Sequence, residues 1–149
     1  MRDVLDTLAH SGFRRIAIIN GHGGNAPVGG LVREWLCQPR DKEVQVLFHS
    51  WYNGPKTAEV ANEFCVDQMH GAWVENFPWT RIPGAPTPEP IPVVARELLM
   101  NLGPDAIREL APDGSMGGPY GAPDEMMEKV WAAGVQEVRT IIESGWVKH

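Results

Sequence analysis

Two short stretches of this chain concentrate reactive side chains. The first is Arg15-Ile-Ala-Ile-Ile-Asn-Gly-His-Gly-Gly-Asn25, a β-branched apolar run that stops at a histidine set among three glycines. The second is His70-Gly-Ala-Trp-Val-Glu75-Asn-Phe-Pro-Trp79, which brings an imidazole and a carboxylate close together along the chain. His22, His70 and Glu75 are residue types that ligate a divalent metal or move a proton near neutral pH. A metal lowers the pKa of its bound water from about 15.7 toward neutrality, and a nearby histidine can protonate a departing nitrogen. Each residue also has a plainer reading. His22 could cap the backbone of its own turn, His70 could cap a helix end, and Glu75 could be a solvated surface acid.

These side chains need elements to hold them. The run Ile16 to Ile19 predicts a short strand covered on both faces, as in a parallel sheet. Gly21, Gly23 and Gly24 allow a sharp turn and close backbone approach to a ligand. Asn25 then stands where it can cap a helix over Ala26 to Leu36, in which Val28, Leu31, Val32, Trp35 and Leu36 recur at helical spacing. Gln38-Pro39-Arg40-Asp41 ends that helix, and Val44 to Phe48 supplies a second strand. Strand, helix, strand is a βαβ unit, with parallel pairing and a right-handed crossover. Ligands in open α/β sheets gather at the carboxyl ends of the strands. His49, Ser50, Trp51 and Tyr52, which close the second strand, are therefore expected to share a rim with His22.

The other elements frame the second stretch. Met1 to His10 reads as a helix with Val4, Leu5 and Leu8 on one face, and Lys56 to Gln68 as another. Six prolines between Pro78 and Pro92 exclude a regular helix or central strand there and predict an extended loop or arm. Val94 to Leu102 and Asp105 to Leu110 are short helices, and Asp113 to Ala122 is a glycine-rich loop. Pro123-Asp124-Glu125 opens a terminal helix whose Val130, Trp131, Val135, Val138, Ile141 and Ile142 form an apolar stripe read as core.

Composition narrows the function classes. The 149 residues, 43% hydrophobic, fit one globular domain spanning 1–149. A formal charge of −6 with no cluster of Lys and Arg argues against a nucleic-acid surface. No apolar run approaches the roughly 20 residues a bilayer requires, so neither a membrane span nor a signal peptide is expected and the location expected is cytoplasmic. Cys37 and Cys65 lack metal-site or disulfide spacing and read as reduced thiols.

Asn20-Gly-His-Gly-Gly-Asn25 after a strand, the later His70-Gly-Ala-x-x-Glu75 element, and the loop Gly114-Ser-Met-Gly-Gly-Pro-Tyr-Gly-Ala122 together resemble the creatininase family of metal-dependent amidohydrolases. The resemblance runs over most of the chain and is weakest in the proline-rich stretch. It implies a three-layer α/β/α sandwich with a mostly parallel sheet, commonly a homo-oligomer. It also implies a binuclear centre of divalent metal, zinc or manganese, that activates water against a non-peptide C–N bond. The substrate would be a small cyclic amide or formamide-type compound. His22 matches the family's metal ligand in the glycine loop, and Glu75 matches a glutamate suited to ligate the second metal. His70 matches the residue that acts near the scissile bond, and Trp51 an aromatic that covers the substrate; both are the catalytic assignments.

The resemblance is that of a C-terminal portion. The N-terminal strand region of the family, with its Glu-x-His pair and bridging Asp, has no counterpart here; Asp3 and Asp6 lie on an amphipathic helix. Gly24 stands where some members carry a glutamate, and Asn76 where threonine is usual. Two metal ligands fall short of the three protein ligands of catalytic zinc sites. Completion by another chain, a late start of the reading frame, and a non-catalytic remnant are the explanations left open. Two readings from other classes also stand: an anion-binding module using the Gly21 to Asn25 turn at a helix N-terminus, and a structural subunit of a hetero-oligomer.

Overall fold

The apolar run becomes β1 (Arg15–Asn20), paired in parallel with β2 (Gln45–Ser50) from Arg15 opposite Gln45 to Asn20 opposite Ser50. The computed structural model describes residues 1–39, 43–64 and 70–147. They form a mixed α/β fold with a two-strand parallel sheet, divided into two compact units: Met1–Ala58 with Ala132–His149, and Glu59–Trp131.

In the first unit, α1 (Arg2–His10) and α2 (Pro27–Leu36) cover one face of the sheet. Leu5, Ile16, Val32, Trp35 and Val44 form the buried cluster, with Leu8, Ile18, Val28 and Val46 packed against it. The Trp35 indole N–H donates to Asp6 Oδ1 at 2.7 Å, so the largest core side chain buries its polar atom satisfied. Successive strand residues point to opposite faces. Gln45, Leu47 and His49 thus meet the C-terminal half of the last helix, Asp124–Ser144, and the residues that follow it. Gln45 exchanges two hydrogen bonds with the Val147 backbone, at 3.0 and 2.8 Å. The Leu47 side chain closes on Gly145, and His49 faces Glu137 at 3.6 Å.

The strand expected to be covered on both faces is covered on one. Arg15 and Ala17 are exposed and Ile19 is 39% exposed, because the terminal helix runs along β2 and leaves the outer face of β1 open. The expected cap also differs. Gly23–Asn25 winds into a 3₁₀ turn leading directly into α2, so Ala26 occupies the cap position without a side-chain bond and Pro27 opens the helix. Asn25 instead donates its amide to Asn20 Oδ1 at 3.2 Å. The third helix is α3 (Pro55–Glu63); the last part of the span expected to be helical, Cys65 to Gln68, lies outside the described residues.

The second unit holds α4 (Arg96–Asn101), α5 (Pro104–Leu110) and the start of α6 (Asp124–Ser144). Trp73, Val74, Phe77, Ala111, Met127 and Val130 are buried. The proline-rich stretch carries neither helix nor strand, and an isolated antiparallel bridge from Ile91 to Gly118 ties its end down. Along α6 the buried face shares Val130 with the expected stripe and otherwise departs from it. Met127, Val130, Gly134 and Glu137 are buried, whereas Trp131, Val135 and Ile142 are 41, 50 and 48% exposed. Two stripes compete at helical spacing, and the one carrying a glycine and an acid faces inward.

Candidate functional site

His22 leaves the carboxyl end of β1, and its loop is organised by the neighbouring buried Asn20. The Asn20 amide donates to the His22 carbonyl and to Ser50 Oγ, both at 2.9 Å. Its carbonyl accepts from His22 N–H and from the Asn25 amide, both at 3.2 Å. One side chain thus ties the loop to itself and to the end of β2. Within the loop, His22 Nδ1 accepts the Gly24 N–H at 3.0 Å, as the capping reading of this residue anticipates. Asn25 N–H goes to the His22 carbonyl and Ala26 N–H to that of Gly23. The N–H groups of Gly24, Asn25 and Ala26 are thus engaged within the loop.

The expected common rim is present. A Cβ on Gly21 would stand 3.8 Å from Trp51 Nε1, and one on Gly23 would stand 3.6 Å from the Tyr52 hydroxyl. Trp51 and Tyr52 meet edge to face, with ring centroids 6.4 Å apart. Behind them lies a group that sequence reasoning missed. Glu137, 7% exposed, accepts from the Lys56 N–H at 2.9 Å and the Thr57 N–H at 3.4 Å, and so caps the first turn of α3. The signal for it was Gly134, a helix-interior glycine one turn earlier on the same face.

The second unit places His70 and Glu75 together. His70 Nδ1 lies 3.2 Å from Glu75 Oε1, and the Gly71 N–H donates to the same oxygen at 2.9 Å. Gly71 has φ +68°, a left-handed conformation that L side chains rarely adopt, and a Cβ there would stand 3.0 Å from Ser115 Cα. The glycine-rich loop explains that closeness. Met116 N–H donates to the His70 carbonyl, Trp73 N–H to Pro119 and the Asn76 amide to the Tyr120 carbonyl, at 2.9, 2.9 and 2.7 Å. The two matching segments of this unit are therefore one construction, in which the loop fixes the element that bears the histidine and carboxylate. Within the loop the Tyr120 hydroxyl donates to Asp113, which holds that carboxyl below its usual range and raises the phenol.

An open cavity of about 860 Å³ lies beside this construction, lined in part by Glu75, Asn76, Arg81, Tyr120 and Asp124, with Pro83 to Pro88 as one wall. Arg81 and Asp124 pair across it at 2.7 Å.

The four assigned residues fall in different units: His22 and Trp51 in the first, His70 and Glu75 in the second. Among the described residues no three His, Cys, Asp or Glu side chains gather to hold a metal ion. His22 Nδ1 is committed to Gly24, and one Glu75 oxygen to Gly71 and His70. The described side chains thus do not assemble the inner sphere of a divalent metal. No described helix is long and apolar enough to cross a membrane.

No curated protein and no solved structure matches the chain significantly. A family model does: Creatininase, described as creatinine amidohydrolase, matches residues 1–142. The match takes in the glycine loop, the His70 to Glu75 element and the Gly114 to Ala122 loop together. With 142 of 149 residues matched, the chain belongs to the creatininase family.

Proposed function

We propose that this chain is an amidohydrolase of creatininase type, acting on the non-peptide C–N bond of a small cyclic amide or formamide. The observation that carries the reading is the His70–Glu75 pair at 3.2 Å, whose Glu75 lines the cavity, built on a loop that belongs to the family pattern. A carboxylate on Nδ1 sets the tautomer and orientation of an imidazole, and assigns proton exchange to Nε2. In this role His70 delivers a proton to the leaving nitrogen as the C–N bond breaks. Glu75 stabilises the imidazolium before transfer, a use of the carboxylate that competes with ligation of a metal. Trp51 is assigned the cover of the substrate and His22 a nitrogen ligand, both on the family resemblance.

The three-layer sandwich belongs to the same proposal. So does a divalent metal, zinc or manganese, which would supply an activated water when bound. Its remaining ligands would come from outside the side chains gathered here, from another copy or another chain, and the active form is accordingly an oligomer. The test is a hydrolysis screen over cyclic ureides, lactams and formamides, with and without added zinc or manganese, and elemental analysis of the protein as purified. Ring opening of a cyclic ureide or lactam, followed by mass spectrometry as the gain of one water, or release of formate and amine from a formamide supports the reading; silence across all of them with metal supplied would contradict it.

A further inference from the structure

The terminal helix carries a device that sets the position of Trp51. Gly134 and Glu137 lie one turn apart on the buried face of α6, where both are shielded although neither is apolar and bulky. At Gly134 the Trp51 ring lies directly on the helix: a Cβ there would stand 2.9 Å from Trp51 Cε3, closer than side chains approach, and 3.4 Å from Thr57 Oγ1. The same indole borders Gly21 on its other side, at 3.8 Å from the corresponding Cβ position. Trp51 is thus slotted between two glycines, one on the loop that bears His22 and one on the helix.

Glu137 fixes the chain that follows the ring. Its Oε2 accepts the Lys56 and Thr57 N–H groups, its other oxygen faces His49 Nε2 at 3.6 Å, and its carboxylate lies against Gly54 so closely that a Cβ there would force the carboxylate to move. Only Trp51 to Pro55 separates the end of β2 from these bonds. Among the described residues His49 Nε2 and Thr57 Oγ1 are buried without a hydrogen-bond partner, so polar satisfaction is incomplete around the carboxylate. The bonds this buried carboxyl side chain does make are those to the start of α3.

We infer that Glu137 and Gly134 are positioning residues: Glu137 anchors the segment after β2 to α6, and Gly134 opens the slot, so that the Trp51 indole stands against the glycine loop. The functional meaning rests on the proposal that Trp51 covers the substrate; the positioning itself does not. On that proposal, adding a methyl at Gly134 pushes the ring toward Gly21 and the loop that bears His22.

The experiment is ¹⁹F NMR of the full chain labelled with 5-fluorotryptophan, the Trp51 signal being assigned through Trp51→Phe. Glu137→Gln keeps an acceptor for both N–H groups and should leave the Trp51 signal within its linewidth. Glu137→Ala and Gly134→Ala should each move it by more than a linewidth while the Trp35 and Trp73 signals stay. Should Glu137→Ala lose the Trp35 signal through unfolding, Glu137→Asp, which shortens the reach by one methylene, takes its place with the same expectation. An unmoved Trp51 signal in folded Gly134→Ala and in the folded Glu137 variant would overturn the inference, and so would a Glu137→Gln shift as large as that of Ala. The readout needs no turnover. If Trp51→Phe leaves substrate binding unchanged while the signals behave as expected, the substrate-cover reading fails and the positioning stands.

Discussion

Replacing Asn20 by alanine tests how the glycine loop is held. The side chain is 4% exposed and makes four hydrogen bonds, two at 2.9 Å and two at 3.2 Å, to the His22 backbone, Ser50 and Asn25. At about 1 kcal/mol net each, these come to ~4 kcal/mol gross. The loop partners sit at the protein surface and regain water when the amide is gone, so a loss of ~2–3 kcal/mol is expected. For a chain of this length that lowers Tm by roughly 5–10 °C, at about 2–4 °C per kcal/mol. Urea unfolding at neutral pH should show a lower midpoint with an unchanged slope, since the surface exposed on unfolding is the same. Asn20→Asp retains acceptors for His22 N–H and the Asn25 amide but loses both donations and buries a charge, so it should be no more stable than alanine. A destabilisation below about 0.5 kcal/mol for Asn20→Ala, the range of ordinary surface substitutions, would refute the claim that this side chain organises the loop.

Two further outcomes follow from the geometry. Gly24→Ala places a Cβ 3.0 Å from His22 Nδ1 and 3.1 Å from Cε1, so the ring must give by a few tenths of an ångström and strain its bond from the Gly24 N–H; the His22 imidazole nitrogen resonances should shift, and unchanged resonances would contradict the capping geometry. Tyr120→Phe removes the hydroxyl that chiefly lowers the Asp113 pKa, so that carboxyl should titrate closer to the ordinary value in an NMR titration. The sign is that of a depressed acid: the pair's stabilisation is present above the unfolded carboxyl pKa of about 3.9 and fades as pH falls through the lowered folded value, so the variant should show less acid-side loss.

Periodicity carried most of the local structure. The β-branched run, the i, i+3, i+4 spacing of α2 and the proline density each dictate one backbone state, and β1, α2 and the proline-rich loop are where those signals lie. The rim shared by the His22 loop with Trp51 and Tyr52 was legible for the same reason: parallel strands put both loops at one end of the sheet. Burial was less legible, because it depends on which neighbour arrives. Ile19 has the composition of a core residue and is exposed because α6 covers β2 instead. Glu137 has the composition of a surface residue and is buried because the α3 N-terminus needs an acceptor there. His70 and Glu75 were legible as residue types, but their direct pairing arises from a left-handed Gly71 and from a loop more than forty residues further along, contacts that spacing does not encode.

The central claim is that His70, oriented by Glu75, protonates the leaving nitrogen of an amide. Its most direct test is the turnover rate of His70→Ala and Glu75→Gln on a substrate identified in the hydrolysis screen, each with metal content measured on the same preparation. His70→Ala should lower kcat by about 10²-fold or more at unchanged metal content, and Glu75→Gln by a smaller factor, as for a general acid and the group that orients it. Full turnover in His70→Ala would contradict the account and leave His70 as a residue that only closes its turn.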